Sequence, residues 1–559
     1  MKLIILESPR KTGTVRKFLT DDFVVLASMG HITEIPKKGL NVQFDESGGF
    51  SAKYRIHPGK TDAVRLIQKC ASEAEEIFLC TDLDREGERI AYDLAQAISQ
   101  PAKIRRATFH EITKSAVLKA LKNPRDIDQN LVNSQIARQV LDRLIGYLVS
   151  PRVWRNVSGG KSAGRVQSVA LRIIAEREFE IGEFEITTFW DAELVFAKGG
   201  ALFSGCVIKN GKPIRLVQER HTKMLMEHLN KAGGEGVVLS VDKQTKSYKP
   251  SAPFDTASLQ KTASAKFSWT GKKTMTVAQE LYELGLITYH RTDSFSISDE
   301  AIAACRAHIK DDKGNSYVPE SPYVYTKKSR SQEAHECIRP TYMDGTGLLD
   351  GSSLTGDQEK MLTMVRDRFI ACQMAPAVFQ NSVVEIQVNE AVIQVKGRIM
   401  EFDGWTCKWQ TNSKEAELPL LKKGDRVKIS EINLQEHRTK PPDRYNDGTV
   451  VAKMEKAGVG RPSTWASLVD TLIKREYIER HGKNFHLTTL GRRVYLYLMS
   501  EFEDQFMDIE YTSKVEEELD RISTGEVDKN FVVNEFHQAL QDALQRRQNE
   551  ELAGIFGEE

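Results

Sequence analysis

Residues 77–88 read Ile77-Phe78-Leu79-Cys80-Thr81-Asp82-Leu83-Asp84-Arg85-Glu86-Gly87-Glu88, an apolar run that passes directly into a dense acidic cluster. The first four residues predict a short buried strand, and Gly87 to Ile98 predicts the helix after it. Asp82, Asp84 and Glu86 then stand at the end of the strand, facing the start of the helix. Alternate residues of an extended chain share a side, so the two aspartates can converge on one point. Converging carboxylate oxygens suit Mg²⁺, a hard cation that dehydrates reluctantly and usually binds together with phosphate oxygens. A metal site here implies chemistry on phosphodiesters or nucleotides. Two plainer readings stand beside it. Acidic residues complement the positive end of a helix, and mixed charge is commonly a solvated face.

Outward from this stretch, Lys2–Leu6, Lys11–Leu19 and Phe23–Ala27 alternate strand-like and helix-like patterns. That alternation predicts an α/β domain with a mostly parallel sheet, and ligands of such sheets bind beyond the carboxyl ends of the strands. Glu7 follows the first strand and Asp82 a later one, so the two acidic positions can meet at that edge. Asn133 to Leu148 places Ile136, Val140, Leu141, Leu144 and Ile145 on one helical face. Arg138 and Asp142, four apart, read by themselves as a surface ion pair. The pattern is β-like from Thr187 to about Leu239 and again over Val383–Ile432, with the largely helical Thr256–Met374 between. The two β-rich segments therefore form one domain, and the helical block is an excursion from it. Pro441-Pro442 marks a further boundary. Beyond it come a helix over Ser463–Lys474, short strands at Glu476–Ile478 and Phe485–Thr488, and a helix from Thr489, together a winged-helix-like unit.

The bulk properties narrow the class. A chain of 559 residues, 40% hydrophobic and 28% charged, is ordinary soluble protein of several domains. It has no apolar run long enough to span a membrane, and its N-terminal apolar run is too short for a signal peptide. The cysteines, at positions 70, 80, 206, 305, 337, 372 and 407, are odd in number and contain no Cys-x-x-Cys pair. That argues against a disulfide framework and against zinc, and fits a reducing cytoplasm. Net charge is only +1, so nucleic-acid binding has to come from local patches. One such patch holds Arg143, Arg152, Arg155, Lys161, Arg165 and Arg172 without an acidic residue between them, with Tyr147 and Trp154 interleaved. This composition fits a single-stranded nucleic-acid groove. Gly159-Gly160-Lys161-Ser162 is not a P-loop, because Arg155 stands where the first glycine is needed. His335-Glu336 is not a zinc-protease helix, because Arg339 stands at the second histidine.

Leu286-Ile287-Thr288-Tyr289-His290-Arg291-Thr292-Asp293-Ser294 follows a helix stopped by Gly285. If the segment is extended, Tyr289 and Arg291 project to one side. A phenol can attack phosphorus, but with a pKa of about 10 it needs help, which a neighbouring guanidinium supplies. On composition alone, a tyrosine beside an arginine reads as packing plus surface charge.

Taken together, these segments resemble the bacterial type IA DNA topoisomerases, in order and over nearly the whole chain. The segments that carry the resemblance are Leu6-Glu7-Ser8-Pro9-Arg10-Lys11, Thr81–Glu88, Ala137–Tyr147, Ser162–Leu171, Ile287–Ser294, Ala334–Thr341 and Gly458–Thr464. The resemblance implies a multidomain fold of mixed α/β, α and β parts in a toroidal arrangement. It implies a Toprim α/β domain at 1–150 and a helical DNA-binding domain with a winged-helix-like unit at 151–188 and 442–559. A β-rich arch or hinge would occupy 189–250 and 375–441, and a helical domain carrying the nucleophilic tyrosine 251–374.

The implied reaction relaxes negatively supercoiled DNA without ATP. Tyr289 attacks a phosphodiester of a single-stranded segment, leaving a 5′-phosphotyrosyl bond, and a second strand or duplex passes before religation. Arg291 would stabilise the phosphoryl charge, Glu7 would handle the proton on the leaving 3′-oxygen, and Lys11 and His335 would complete the catalytic set. Asp82, Asp84 and Glu86, with Glu7, would hold Mg²⁺. Arg138, Asp142, Arg143, Arg165, Gln167, Ser168, Arg339, Arg461, Ser463 and Thr464 would contact DNA. The implied protein is a monomer with no membrane partner, cytoplasmic and associated with the nucleoid or a plasmid.

Position 290 is His, where the topoisomerase I branch usually has Met and the topoisomerase III branch Pro, so a topoisomerase III-like decatenase of DNA with single-stranded regions is the alternative. The chain ends at Glu559 without four-cysteine zinc modules, which implies a compact variant with weaker or less processive relaxation.

Overall fold

The computed structural model describes residues 1–98, 103–231, 233–326, 335–343, 353–411 and 415–556, with 547–556 as backbone alone. Ala334 of the His335 segment, and 327–334 and 344–352 of the helical block, lie outside the described residues.

Four parallel strands make the first sheet, in the order Phe23–Ala27, Lys2–Leu6, Glu76–Cys80 and Ile104–Arg106. Leu3–Leu6 and Ile77–Leu79 are buried, as the unbroken apolar strands of a sheet covered on both faces must be. Register pairs Leu6 with Cys80, so Glu7 and Thr81-Asp82 leave the sheet side by side at its carboxyl edge. Asp84 then caps the helix Arg85–Ala97, its carboxylate accepting from the Gly87 N–H at 2.9 Å. A Cβ at position 87 would lie 2.2 Å from the Asp82 carbonyl oxygen, so only glycine lets the helix begin this close to the strand end.

The two β-rich segments interleave into one closed barrel. Its antiparallel strands run Ala201–Lys209, Ala391–Phe402, Ala377–Val388, Glu235–Tyr248, Arg426–Arg438 and Thr188–Lys198, and the last pairs back onto the first. Phe196, Phe203, Ile386, Ile393 and Val395 fill the interior, and closure leaves few strand edges exposed. The antiparallel pairing between Glu235–Tyr248 and Arg426–Arg438 covers only Glu235–Val237 against Arg426–Lys428, so from this short overlap the two strands continue in opposite directions as two ribbons. One carries Tyr248, Ala377 and Phe402 at its end, the other Thr188 and Arg438. Each leads into a different helical body. Inside the first β-rich segment the structure has a helix, Glu219–Asn230, where the sequence pattern reads as strand. It buries only Thr222 and Leu229.

One helical body gathers Arg165–Gly182, Asp447–Lys456, Trp465–Lys474, Thr489–Phe502 and Ile509–Ser523 around a common core. The helix Gln129–Leu148, inside the first predicted domain by sequence position, packs Val140, Leu141, Leu144 and Ile145 into this same core. The hairpin Ile478–His481 and Asn484–Leu487 supplies the small wing between two of its helices. The other body is built from Thr256–Phe267, Gly271–Glu283, Asp299–Lys313 and Gly356–Cys372. Its core is continuous with Leu6, Phe78, Cys80 and Phe109 of the parallel-sheet domain. That continuity brings the Tyr289 segment against the acidic strand end.

Candidate active site

The nucleophile segment is held from both sides. Ile287 bridges to Pro340, and the Thr288 hydroxyl donates to the Cys337 carbonyl at 2.7 Å. The Tyr289 N–H reaches across to the His110 carbonyl of the parallel-sheet domain, 2.8 Å away. The Tyr289 side chain is 3% exposed, and its hydroxyl donates to Asp84 at 2.8 Å. Arg291 stands 3.4 Å from Glu86. Both side chains therefore face the acidic turn, as an extended segment requires. Burial, and then the charges of Asp84 and Asp82, push the Tyr289 phenol well above its usual range, with Arg291 opposing them. The nucleophile at rest is protonated. Burial also works against the Arg291 charge, yet Tyr289, Asp84 and Glu86 around it leave it more firmly protonated than usual.

At the sheet edge the Glu7 carboxylate lies 3.5 Å from the Asp82 N–H. Lys11 pairs with Asp82 and sits 4.8 Å from the centre of the Tyr282 ring. Burial, reinforced by the Asp82 charge, raises Glu7 to about 8, so it carries a proton at neutral pH. Glu86 goes the other way, to about 2, chiefly through its contact with His31 at 3.5 Å and then through Arg291. His335 is 5% exposed, and its ring centre lies 6.1 Å from that of Tyr289. Burial lowers its pKa, while Asp84 and Asp293 pull it back up.

The oxygen chemistry of this edge suits a hard cation, but the arrangement differs from the expected metal cluster. Among the described residues, no three of Asp, Glu, His and Cys converge closely enough to hold a metal ion. Each carboxylate is engaged by the protein instead, Asp82 by Lys11, Asp84 by Tyr289 and the helix cap, and Glu86 by Arg291 and His31.

Behind the edge lies a cluster that sequence reasoning missed. Arg106 is fully buried and donates to the carbonyls of Leu79, Thr81 and Asp82 at 2.9, 2.9 and 2.5 Å. Its Nε donates to Glu88 at 2.9 Å, and Glu88 also accepts from Arg125 and the Asp128 N–H, each at 2.7 Å. Glu88, the last acidic residue of the quoted stretch, thus turns away from the reaction centre and fixes the strand end. No local sequence signal separates it from Glu86.

The expected DNA contacts divide into two groups. A cavity of about 320 Å³ opens beside Asp84, Glu86 and Arg291, and Arg138, Asp142, Arg461, Ser463 and Thr464 line it. The Arg138–Asp142 pair, 3.9 Å apart, is therefore part of a cleft rather than of an open surface, with Arg138 7% exposed.

Of the remaining five, all but Gln167 serve other contacts. Arg143 grips the carbonyls of Pro36, Gly39 and Leu40. Arg165 is 1% exposed and paired at 2.5 Å with Glu516, which is wholly buried. Burial raises the Glu516 pKa, but Arg165, Arg461, Arg138 and Arg85 outweigh it and hold the carboxylate ionised. Ser168 accepts from the Gly164 N–H at 3.3 Å, and Gln167 is partly buried with its Nε2 unpaired. Arg339 is paired with Glu111 and Glu336. In the same basic stretch Arg152 donates to the Leu544 carbonyl, Lys161 pairs with Glu476 and Arg172 with Glu176. Much of that charge ties helices together, so a run of cations in sequence is not a groove in space.

Comparison with known proteins adds independent findings. Residues 126–534 match the family described as DNA topoisomerase, and residues 2–112 match the Toprim domain. The chain is 38% identical to DNA topoisomerase 1 of Vibrio cholerae, over 99% of this chain and 67% of that one. It is 37% identical to DNA topoisomerase 1 of Escherichia coli, over 98% of this chain and 67% of that one. It thus spans about two thirds of the length of these relatives. The full-length topoisomerase I of Thermotoga maritima superposes with a TM-score of 0.87 at 32% identity, covering 97% of this chain and 90% of that one.

Proposed function

The chain belongs to the type IA DNA topoisomerases, and from that premise we propose that it relaxes negatively supercoiled DNA by cutting, passing and resealing one strand at a time. The observation that carries this reading is the meeting of two distant segments. The Tyr289 hydroxyl, on one helical body, lies 2.8 Å from Asp84 at the parallel-sheet edge.

In cleavage, the Tyr289 oxygen bonds to phosphorus as the bond from phosphorus to the 3′-oxygen breaks. Asp84 is placed to take the phenolic proton, and Arg291 to neutralise the phosphoryl charge. Protonated Glu7 is suited to give its proton to the leaving 3′-oxygen. Religation is the reverse, with the 3′-hydroxyl attacking and Glu7 taking the proton back. Transesterification conserves the phosphodiester free energy, so supercoiling strain suffices and ATP is not needed. Lys11 neutralises charge at Asp82, and His335 packs beside Tyr289 from the same body.

Asp82, Asp84 and Glu86, with Glu7, would hold Mg²⁺ only once the bodies part and free Asp84 and Glu86 from Tyr289 and Arg291, and when bound it would supply positive charge beside the broken ends. Arg138, Asp142, Arg461, Ser463 and Thr464 are the residues that would meet the single strand as it enters the cavity. The protein acts as a monomer whose two ribbons flex as the bodies part around DNA. Among the described residues, no helix is long and apolar enough to cross a membrane.

The test is Tyr289→Phe. Trapping by denaturant should find no covalent adduct on a single-stranded oligonucleotide, while DNA affinity changes by less than about twofold. An adduct that persists in this variant refutes the mechanism.

A further inference from the structure

We propose that Arg339 and Glu111 are the latch of the closed gate, a positioning pair that sets how readily the nucleophile body parts from the parallel-sheet domain. The inference rests on the strand-passage reading above and adds to it a control element away from the reacting atoms. Arg339 was expected to contact DNA, and its surroundings leave little room for that. One guanidinium nitrogen lies 2.9 Å from the Glu111 Oε2, across the domain boundary. The two are out of line for a hydrogen bond, so charge and burial hold them. The Arg339 side chain is 7% exposed and that of Glu111 19%. Burial opposes the Arg339 charge, but Glu336 and Glu111 more than restore it.

The design differs from a permanent ion pair because each partner has a second contact that stays at home. Arg339 also bonds Glu336, on its own body, at 2.7 Å. Glu111 accepts from the Thr113 hydroxyl, on its own domain, at 3.1 Å. When the bodies separate, neither charge is left without a partner, so the pair can break and re-form. Stranding a buried charge would make opening far more costly.

The latch also lies beside the nucleophile. Glu111 follows His110, whose carbonyl receives the Tyr289 N–H, so opening breaks both contacts together. Among the described residues, the other charge pairs across this boundary, those of Arg291 with Glu86 and of Arg10 with Glu280 and Glu283, do not fill the role. Arg291–Glu86 belongs to the reaction centre, and Arg10–Glu280 has its arginine 66% exposed, where ion pairs contribute little.

The experiment holds one negatively supercoiled DNA molecule under tension with the full chain and Mg²⁺, and times gate opening after cleavage. Glu111→Gln should raise the opening rate about tenfold or more. Its adduct yield on a cleavable oligonucleotide should stay within about twofold of the parent. Arg339→Gln should also speed opening, and the double variant should open no faster than either single one, because the two changes remove the same contact. Glu111→Asp, which keeps the charge but draws it back, should fall between parent and Glu111→Gln and tests the idea if a neutral variant folds poorly. An unchanged opening rate in Glu111→Gln, additive effects in the double variant, or a tenfold loss of adduct in Glu111→Gln would each overturn the latch. A parent protein that forms no adduct would refute the strand-cleavage reading instead, and is distinguished by being measured first.

Discussion

The two faces of the acidic strand end are held by different rules. Behind it, Arg106 and Glu88 are wholly buried, belong to one domain and bind each other and the backbone of the strand end. In front, Tyr289–Asp84 and Arg291–Glu86 join different bodies, and the Arg291 and Glu86 side chains keep 29% and 36% of their surface exposed. The rear contacts locate the carboxylates, and the front contacts have to come apart with every strand passed. Glu86 and Glu88, two positions apart in one helix turn, therefore do opposite work.

The strongest way to break this comparison is Arg106→Gln. It takes the donor from the carbonyls of Leu79, Thr81 and Asp82 and leaves Glu88 with Arg125 and the Asp128 N–H alone, so unfolding stability should fall by about 3–5 kcal/mol, measured by denaturant titration. A loss below about 1 kcal/mol would mean that the rear cluster does not locate the edge.

Glu7 gives the next effect, as a dependence on pH. Its pKa is raised from 4.5 to about 8 on folding, so between those values the folded protein binds a proton that the unfolded chain lacks. The stability from this group is complete below about 4.5 and falls as pH rises through about 8. The melting temperature of Mg²⁺-free protein should decline across that window, and Glu7→Gln should flatten the decline.

His290 sharpens the comparison from within the front face. It is 2% exposed, and neither ring nitrogen has a hydrogen-bond partner. Burial, with Arg291 and Lys11 nearby, keeps the ring neutral by lowering its pKa well below the usual value. His290→Met, which removes the unpaired nitrogens at similar volume, should stabilise the fold by about 1 kcal/mol, read as a higher denaturation midpoint. The smallest change in stability belongs to Glu86→Gln. A partly exposed pair should contribute less than about 1 kcal/mol, while resealing slows and adduct accumulates on the oligonucleotide.

Much of this was legible in the chain itself. The apolar runs Lys2–Leu6 and Ile77–Cys80, each ending in acid, located the sheet edge, because a strand buried on both faces has to be continuously apolar. Tyr289 and Arg291, alternate residues of an extended segment, both face the acidic turn as that spacing requires. Other features had no local signal. Arg143 and Arg165 have the composition of a DNA-facing stretch, yet one clamps a loop and the other neutralises Glu516, more than 300 positions away. The helix Gln129–Leu148 shows its apolar face in sequence, but not which core that face enters.

The sequence by itself determined the parallel strands that end in acid, the family and the identity of the chemical groups, because those depend on residue type and short-range period. Only the tertiary structure decided which charges are spent on the fold and which remain for chemistry. An ionised side chain takes its role from the partner it meets and from how much water it loses; Glu88 meets Arg106 from the next strand, and the partners of Arg165 and Arg339, Glu516 and Glu111, arrive from distant parts of the chain.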